Sequence, residues 1–269
     1  MSEILRFEQV SYEYEEGRRA LTQVSLSIGP GERVAVLGEN GAGKSTFFLL
    51  ANGVLRPCAG EIFFEGRPVG GSRQSLNVLR RGVGLVFQDP DVQILGASVE
   101  QEISFGPMNL GLPLEQVKQR VETAMQDFGL DAYRDRAPQY LSGGEKKWVT
   151  LADAVVMEPR LLLLDEPAAS LDPEHTRRLE KNLEILSQRG MALVISTHNV
   201  DFAWRWASRV LLFHAGCLKA DGAPETLLNQ DALLRQCGLE RPLLCRVAQT
   251  LGLARIPRTV EELEQERMQ

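Results

Sequence analysis

Three stretches of the chain carry residue types whose spacing suits phosphate chemistry. GENGAGKST, at 38–46, fits G-x-x-x-x-G-K-[ST] and lies between the apolar run RVAVLG and a helical pattern starting at Lys44. Gly38, Gly41 and Gly43, with Asn40 and Ala42 in the same turn, allow backbone N–H groups to point inward around β- and γ-phosphate oxygens. Lys44 adds a point charge on those phosphates, Ser45 a hydroxyl for Mg²⁺, and Thr46 closes the motif. LLLLDEP, at 161–167, ends a buried run on two acids. Asp165 can enter the Mg²⁺ shell, and Glu166 can position an attacking water or accept its proton. The third stretch, LSGGE at 141–145, again sets serine and glycines at a helix start. One nucleotide does not need two such grips.

Single residues extend the set. Gln88 ends GLVFQ, where an amide can touch both Mg²⁺ and water; alone it reads equally as a surface glutamine. His198 ends LVISTH, placed like a γ-phosphate sensor or a helix cap. Tyr14 offers a face to adenine, and Tyr12, on the same strand face, competes with it. His175 and His214 have no partner legible in the sequence and read as surface residues.

The elements that must position these groups follow from periodicity. ILRFEQVSYEY alternates apolar and polar, as a half-buried strand does, and VSLSI does likewise before the turn GPGE. RVAVLG, LLLLDE and MALVIST are continuous apolar runs of strand length, fit for a sheet covered on both faces. GEIFFEG and GVGLVFQ are shorter strands. A mainly helical middle follows, in which Val117, Val121, Ala124, Met125 and Phe128 fall on one stripe. Asp172 caps a helix over 173–189 and Gly190 ends it. From about Asp231 the pattern turns helical again, with Thr259 and Glu262 set as a capping box. The whole is an α/β core with a helical insertion and a helical tail.

Composition narrows the function classes. The 269 residues suffice for a substantial core, and 43% hydrophobic with 25% charged residues is ordinary for a globular chain. A net charge of −6 argues against a broad electrostatic grip on nucleic acid or anionic lipid. Four cysteines without a CxxC pair read as reduced thiols. The N-terminus lacks the apolar core of a signal peptide, and no apolar run reaches the roughly 20 residues of a membrane span. Three scattered histidines and unpaired cysteines give no metal-ligand cluster.

In order, GENGAGKST, VFQDP, LSGGE, LLLLDEP, SLDP and STH resemble the nucleotide-binding subunit of an ATP-binding cassette (ABC) transporter, over about residues 3–230. The resemblance implies a P-loop NTPase (RecA-like) α/β core with an antiparallel β subdomain. It also implies a helical subdomain at about 89–157 within a cassette at 1–230, and a C-terminal extension at 231–269 that could serve dimerisation. In that family LSGG is the signature motif, which grips the ATP held by the other subunit's P-loop. Ser142, Gly143, Gly144 and Glu145 would therefore serve a neighbour's nucleotide, and Ser170, Leu171 and Asp172 would form the D-loop that couples the two sites.

The post-Q-loop stretch FQDPDVQILGASVEQEISFGPMNLGLPLEQV, with LLCRVAQTLGL and TVEEL, resembles the energy-coupling factor (ECF) importers of cobalt, nickel and vitamins. That likeness implies ATP and Mg²⁺ as cofactors, a second ATPase subunit as partner, identical or related, and a place on the cytoplasmic face of the membrane. It also implies a transmembrane T component and a separate membrane protein that binds the substrate. Nucleic acid is not expected. The alternative, a soluble ABC ATPase acting on nucleic acid or ribosomes, fits poorly with one uninterrupted cassette and an acidic balance. The chain departs from the family where Trp148 replaces the usual arginine of the signature helix and Asp153 a small or basic residue. Trp148 could pack on another subunit or fill a gap.

Overall fold

The computed structural model describes residues 3–267 except Glu16, Ser170 and Ala254. Ser170, the first residue of the expected D-loop, therefore lies outside the described residues.

Two sheets form the frame. The alternating N-terminal segments give β1 (Leu5–Glu13) and β2 (Arg19–Ile28), which join β4 (Ala59–Phe64) and β5 (Arg67–Pro68) in an antiparallel sheet ordered β2-β1-β4-β5. The continuous apolar runs give β3 (Arg33–Leu37), β7 (Leu161–Asp165) and β8 (Ala192–Thr197). With β6 (Val83–Val86), β9 (Arg209–His214) and β10 (Cys217–Gly222) they form a sheet ordered β10-β9-β3-β8-β7-β6. All its pairings are parallel except that of the edge strand β10.

Strand alternation divides the apolar side chains between two cores. Val34, Val36, Leu161 and Leu163 face the antiparallel sheet and Phe47 and Phe48 of α1 (Lys44–Ala51). Ala35, Leu37, Leu162 and Leu164 face the helical side. That side holds α3 (Val99–Asn109), α4 (Leu114–Phe128), α5 (Gly143–Val155) and α6 (Pro173–Gln188). The stripe expected on α4 is buried at all five positions, and Asp172 caps α6 by accepting from His175 N–H at 2.8 Å.

One helix has no counterpart in the periodicity. α2 (Arg73–Gly82) leads into β6 and, although strongly amphipathic, buries only Leu79. The remaining helices are α7 (Val200–Trp206), α8 (Pro224–Leu227), α9 (Asp231–Gln236), α10 (Leu243–Leu251) and α11 (Val260–Arg267). The tail is laid onto the cassette. Leu234, Cys237, Leu239 and Cys245 join the helical-side core, and Trp204 Nε1–H donates to Pro257 O at 2.9 Å. Among the described residues no helix is long and apolar enough to cross a membrane.

Trp148 fills a gap within this chain. It is 1% exposed, with its ring centroid 6.5 Å from that of Phe128 and 6.2 Å from that of His175. The Arg178 guanidinium lies 4.6 Å from the Trp148 ring centroid, a cation–π contact. His175 is accordingly not an idle surface residue: its Nδ1 meets Asp172 Oδ2 at 2.8 Å.

Candidate active site

The parallel register brings the C-terminal ends of β3, β7 and β8 side by side, pairing Leu37 with Thr197 and Asp165 with Ser196. The loops leaving β3, β6 and β7, with the turn between β1 and β2, enclose a cavity of about 280 Å³. Asn40, Gly41, Gly43, Lys44, Ser45 and Thr46 line it from the loop after β3, and Tyr14, Gln88, Asp165 and Glu166 complete it.

The glycine loop is fixed by close approach. A Cβ at Gly38 would stand 2.3 Å from the Phe213 carbonyl oxygen, and one at Gly43 would stand 2.6 Å from that of Ala20. Both residues also have positive φ, +153° and +105°, so a side chain there meets both clash and strain. Ala42 anchors the turn, with its N–H donating to Glu39 O and its carbonyl accepting from Gly216 N–H. Lys44 is buried, and its Nζ donates to Gly38 O at 2.7 Å and Glu39 O at 3.1 Å. Burial lowers its pKa, while Glu166, Asp165 and Glu39 act against that shift.

The two acids are held differently. Asp165 is buried and accepts from the Ser196 hydroxyl. Glu166 sits at φ +43°, in the left-handed region that non-glycine residues rarely occupy. Its N–H donates to Ser196 Oγ at 2.9 Å, which holds the backbone in that conformation. The strained turn swings its carboxylate toward His198, whose Nδ1 lies 3.1 and 3.2 Å from the two oxygens. His198 thus touches Glu166 directly. Ser45, Gln88 and Asp165 offer a hydroxyl, an amide and a carboxylate to one cavity, an oxygen donor set that fits Mg²⁺.

The two tyrosines separate. Tyr14 is 39% exposed and lines the cavity, its hydroxyl 3.2 Å from Thr46 Oγ1. Tyr12 packs against the antiparallel-sheet core and meets Tyr14 edge-on. The cavity also has members the sequence did not announce, Arg18, Arg19 and Ala20. The readable signal was the basic pair Arg18–Arg19, four residues beyond Tyr14. His214 also has a neighbour, since its Nδ1 lies 2.9 Å from Glu39 Oε1 in the glycine loop.

Lys147 was missed as well. It is 2% exposed on α5, and its Nζ donates to Phe87 O at 3.1 Å and Gln88 O at 2.7 Å. Burial pushes its pKa down to about 8, against the raising influence of Asp165 and Asp89. A charged residue inside the apolar stripe of a helix was the available clue.

The second glycine-rich stretch does not reach this cavity. Ser142 caps α5, accepting from Glu145 N–H at 3.3 Å, while Ser142 N–H donates to Glu145 Oε2 at 2.6 Å. The Tyr133 hydroxyl and these Ser142 groups hold the Glu145 carboxyl below the usual carboxylate range. Ser142 and Gly143 are exposed. A Cβ at Gly143 would meet open space, and one at Gly144 would meet His175 at 3.1 Å. Asp172, likewise, does not line the cavity.

A wider cleft of about 600 Å³ separates the sheet from the helical layer, lined in part by Val54, Arg81, Phe105, Asp153 and Met157. Burial pushes the Asp153 carboxyl up to about 7; the Gln93 amide at 3.2 Å lowers it and Glu102 raises it further. The folded chain therefore keeps a proton that the unfolded chain sheds near the ordinary value of 3.8. The stability linked to this group is complete below that value and is lost as pH rises through 7. Asp153→Asn should gain in melting temperature over the parent between about pH 4 and pH 7, with a constant margin above that. A margin independent of pH in thermal melts would contradict the shift.

A phosphate loop after one parallel strand, with paired acids ending the next strand but one, defines a P-loop nucleoside triphosphatase. The ABC transporter family model matches residues 21–169, more than half of the chain. An energy-coupling factor transporter ATP-binding protein of Methanospirillum hungatei is 40% identical over 98% of this chain and 68% of its own length. A cobalt import ATP-binding protein of Rhodobacter capsulatus is 43% identical over 98% of this chain and 96% of its own. A solved structure from Clostridium perfringens, described as cbiO1 and part of the ABC transporter complex cbiONQ, superposes with a TM-score of 0.78. It is 36% identical and covers 94% of this chain and all of its own. This chain belongs to the ABC transporter ATPase family, and its activity is ATP hydrolysis coupled to transport.

Proposed function

We propose that the chain is the ATPase of an ECF-type importer, working as one half of a two-fold pair at the cytoplasmic face of a membrane. The observation that carries this reading is the separation of two complete phosphate grips. Lys44, Ser45 and the glycine loop surround a cavity that Ser142, Gly143 and Gly144 do not line. Those three residues can serve only a nucleotide presented from outside, and a closed two-fold pair presents two. Asp172, beside them, would lie along the same interface.

In this account ATP is the substrate and Mg²⁺ its companion, which would neutralise charge on the β- and γ-phosphates. Ser45 and Asp165 hold the metal with Gln88, and Tyr14 takes the adenine face. Glu166 orients the attacking water and accepts its proton, and His198 holds Glu166 and senses the γ-phosphate. ATP closes the pair, hydrolysis lets it open, and the membrane subunits convert that change into transport.

The cleft beside Asp153 is the docking place proposed for the T component. Phe105 and Val54, 62% and 50% exposed, give it an apolar rim. The name of one relative, a cobalt import ATP-binding protein, supports cobalt within the cobalt or nickel group as cargo, selected by the separate membrane subunit rather than by this chain. Purification of the assembly from membranes, reconstitution in liposomes and measurement of ATP-driven Co²⁺ or Ni²⁺ uptake tests the function. Uptake of neither ion points to a vitamin, and ATPase activity stimulated by nucleic acid or ribosomes instead of membrane subunits supports the soluble alternative.

Phe105→Asp tests the docking place. It should keep the chain's own ATP affinity within about threefold while breaking co-purification with the membrane subunits. A complex that survives this change excludes the cleft.

A further inference from the structure

We infer that Lys147 is a positioning residue for Gln88, a strut through which the signature helix holds the loop that carries the catalytic amide. Three observations converge on it. Lys147 stands on α5, four residues after the first glycine of the exposed signature turn, yet its side chain runs inward and is 2% exposed. Its ammonium spends two donors on consecutive backbone carbonyls, those of Phe87 and Gln88. Among the described residues no carboxylate lies at ion-pair distance from it, so its direct partners are the loop carbonyls, while Asp165 and Asp89 favour its charge from farther off.

The loop has few other holds. Phe87 N–H donates to Gln93 Oε1 at 3.2 Å, and Gln93 in turn donates to Thr150 O and Asp153 on the same helix. Both ties therefore lead to α5. Because Gln88 lines the nucleotide cavity, a shift of α5 relative to the parallel sheet must move the Gln88 backbone with it. A phosphate gripped at the start of α5 and the amide in the chain's own cavity are joined by the reach of one lysine side chain. Methionine has a similar length but offers no donor, so it would free the loop while preserving the helix.

This inference rests on the catalytic reading of Gln88, and a double-mutant cycle separates the two. The rate constant for ATP hydrolysis and the ATP dissociation constant are measured for full-length Lys147→Met, Gln88→Ala and the pair, assembled with the membrane subunits. Lys147→Met should lower kcat about tenfold or more at unchanged ATP affinity. The pair should be no slower than Gln88→Ala alone, because a lysine that acts only through the amide has nothing left to position. Lys147→Gln, which keeps two N–H donors, should recover part of the rate, and it stands in if the methionine variant does not fold.

Multiplying effects in the pair, or a Lys147→Met enzyme with full kcat, would overturn the inference and leave the Gln88 reading intact. Full turnover in Gln88→Ala would instead overturn the catalytic reading of Gln88, and the inference with it.

Discussion

Glu166→Gln is expected to bind ATP as the parent chain does and to hydrolyse it at least about 100-fold more slowly. The substitution keeps the shape of the side chain and removes its capacity to take a proton. Phosphate binding rests on Lys44, Ser45 and the glycine loop, none of which touches the changed atoms. The backbone of residue 166 is held at φ +43° by its N–H bond to Ser196, and that bond does not depend on the carboxylate. His198 can still donate to the amide oxygen, so the turn should keep its geometry. Single-turnover hydrolysis and equilibrium ATP binding check both halves of the expectation. Undiminished turnover would remove Glu166 from the chemistry.

Ser142→Arg is expected to abolish steady-state hydrolysis while leaving ATP binding to the isolated chain unchanged. The serine is exposed and is not among the residues lining the chain's own cavity, and the neighbouring Gly143 faces open space. An arginine there meets no clash in one chain, but it fills the place of the neighbour's phosphate. The change also removes the Ser142 cap of α5, which costs roughly 0.5–2 kcal/mol of helix stability. Lost capping alone would lower the melting temperature and spare turnover. Titration with a fluorescent ATP analogue, together with ATPase rates, distinguishes the cases. A variant that loses ATP binding as a monomer would show that the signature belongs to the chain's own site.

The fold and the site were unequally legible in the sequence. The phosphate loop, Asp165 and Glu166 could be read because each sits where an uninterrupted apolar run must stop. A strand buried on both faces leaves few other places for a charge. α2 went unread although its polar and apolar faces are distinct, because it is short and buries Leu79 alone. Lys147 could be flagged only as a charge inside an apolar helical stripe; its partners are backbone carbonyls, which leave no trace in residue types. The choice between Tyr12 and Tyr14 needed the loop geometry, because neighbouring aromatics on one strand differ only in what stands opposite. Trp148 and His175 illustrate a third limit. Their contact joins α5 and α6 across the strand between them, and neither residue type reveals the other.

The account turns on one claim, that the two phosphate grips of a chain serve different nucleotides. The mass of purified Glu166→Gln in solution, measured by light scattering with and without Mg·ATP, tests it most directly. A change from monomer to dimer on adding Mg·ATP, reversed by Ser142→Arg in the same chain, is the predicted result. A dimer that forms on adding Mg·ATP and persists unchanged with Ser142→Arg would contradict the claim.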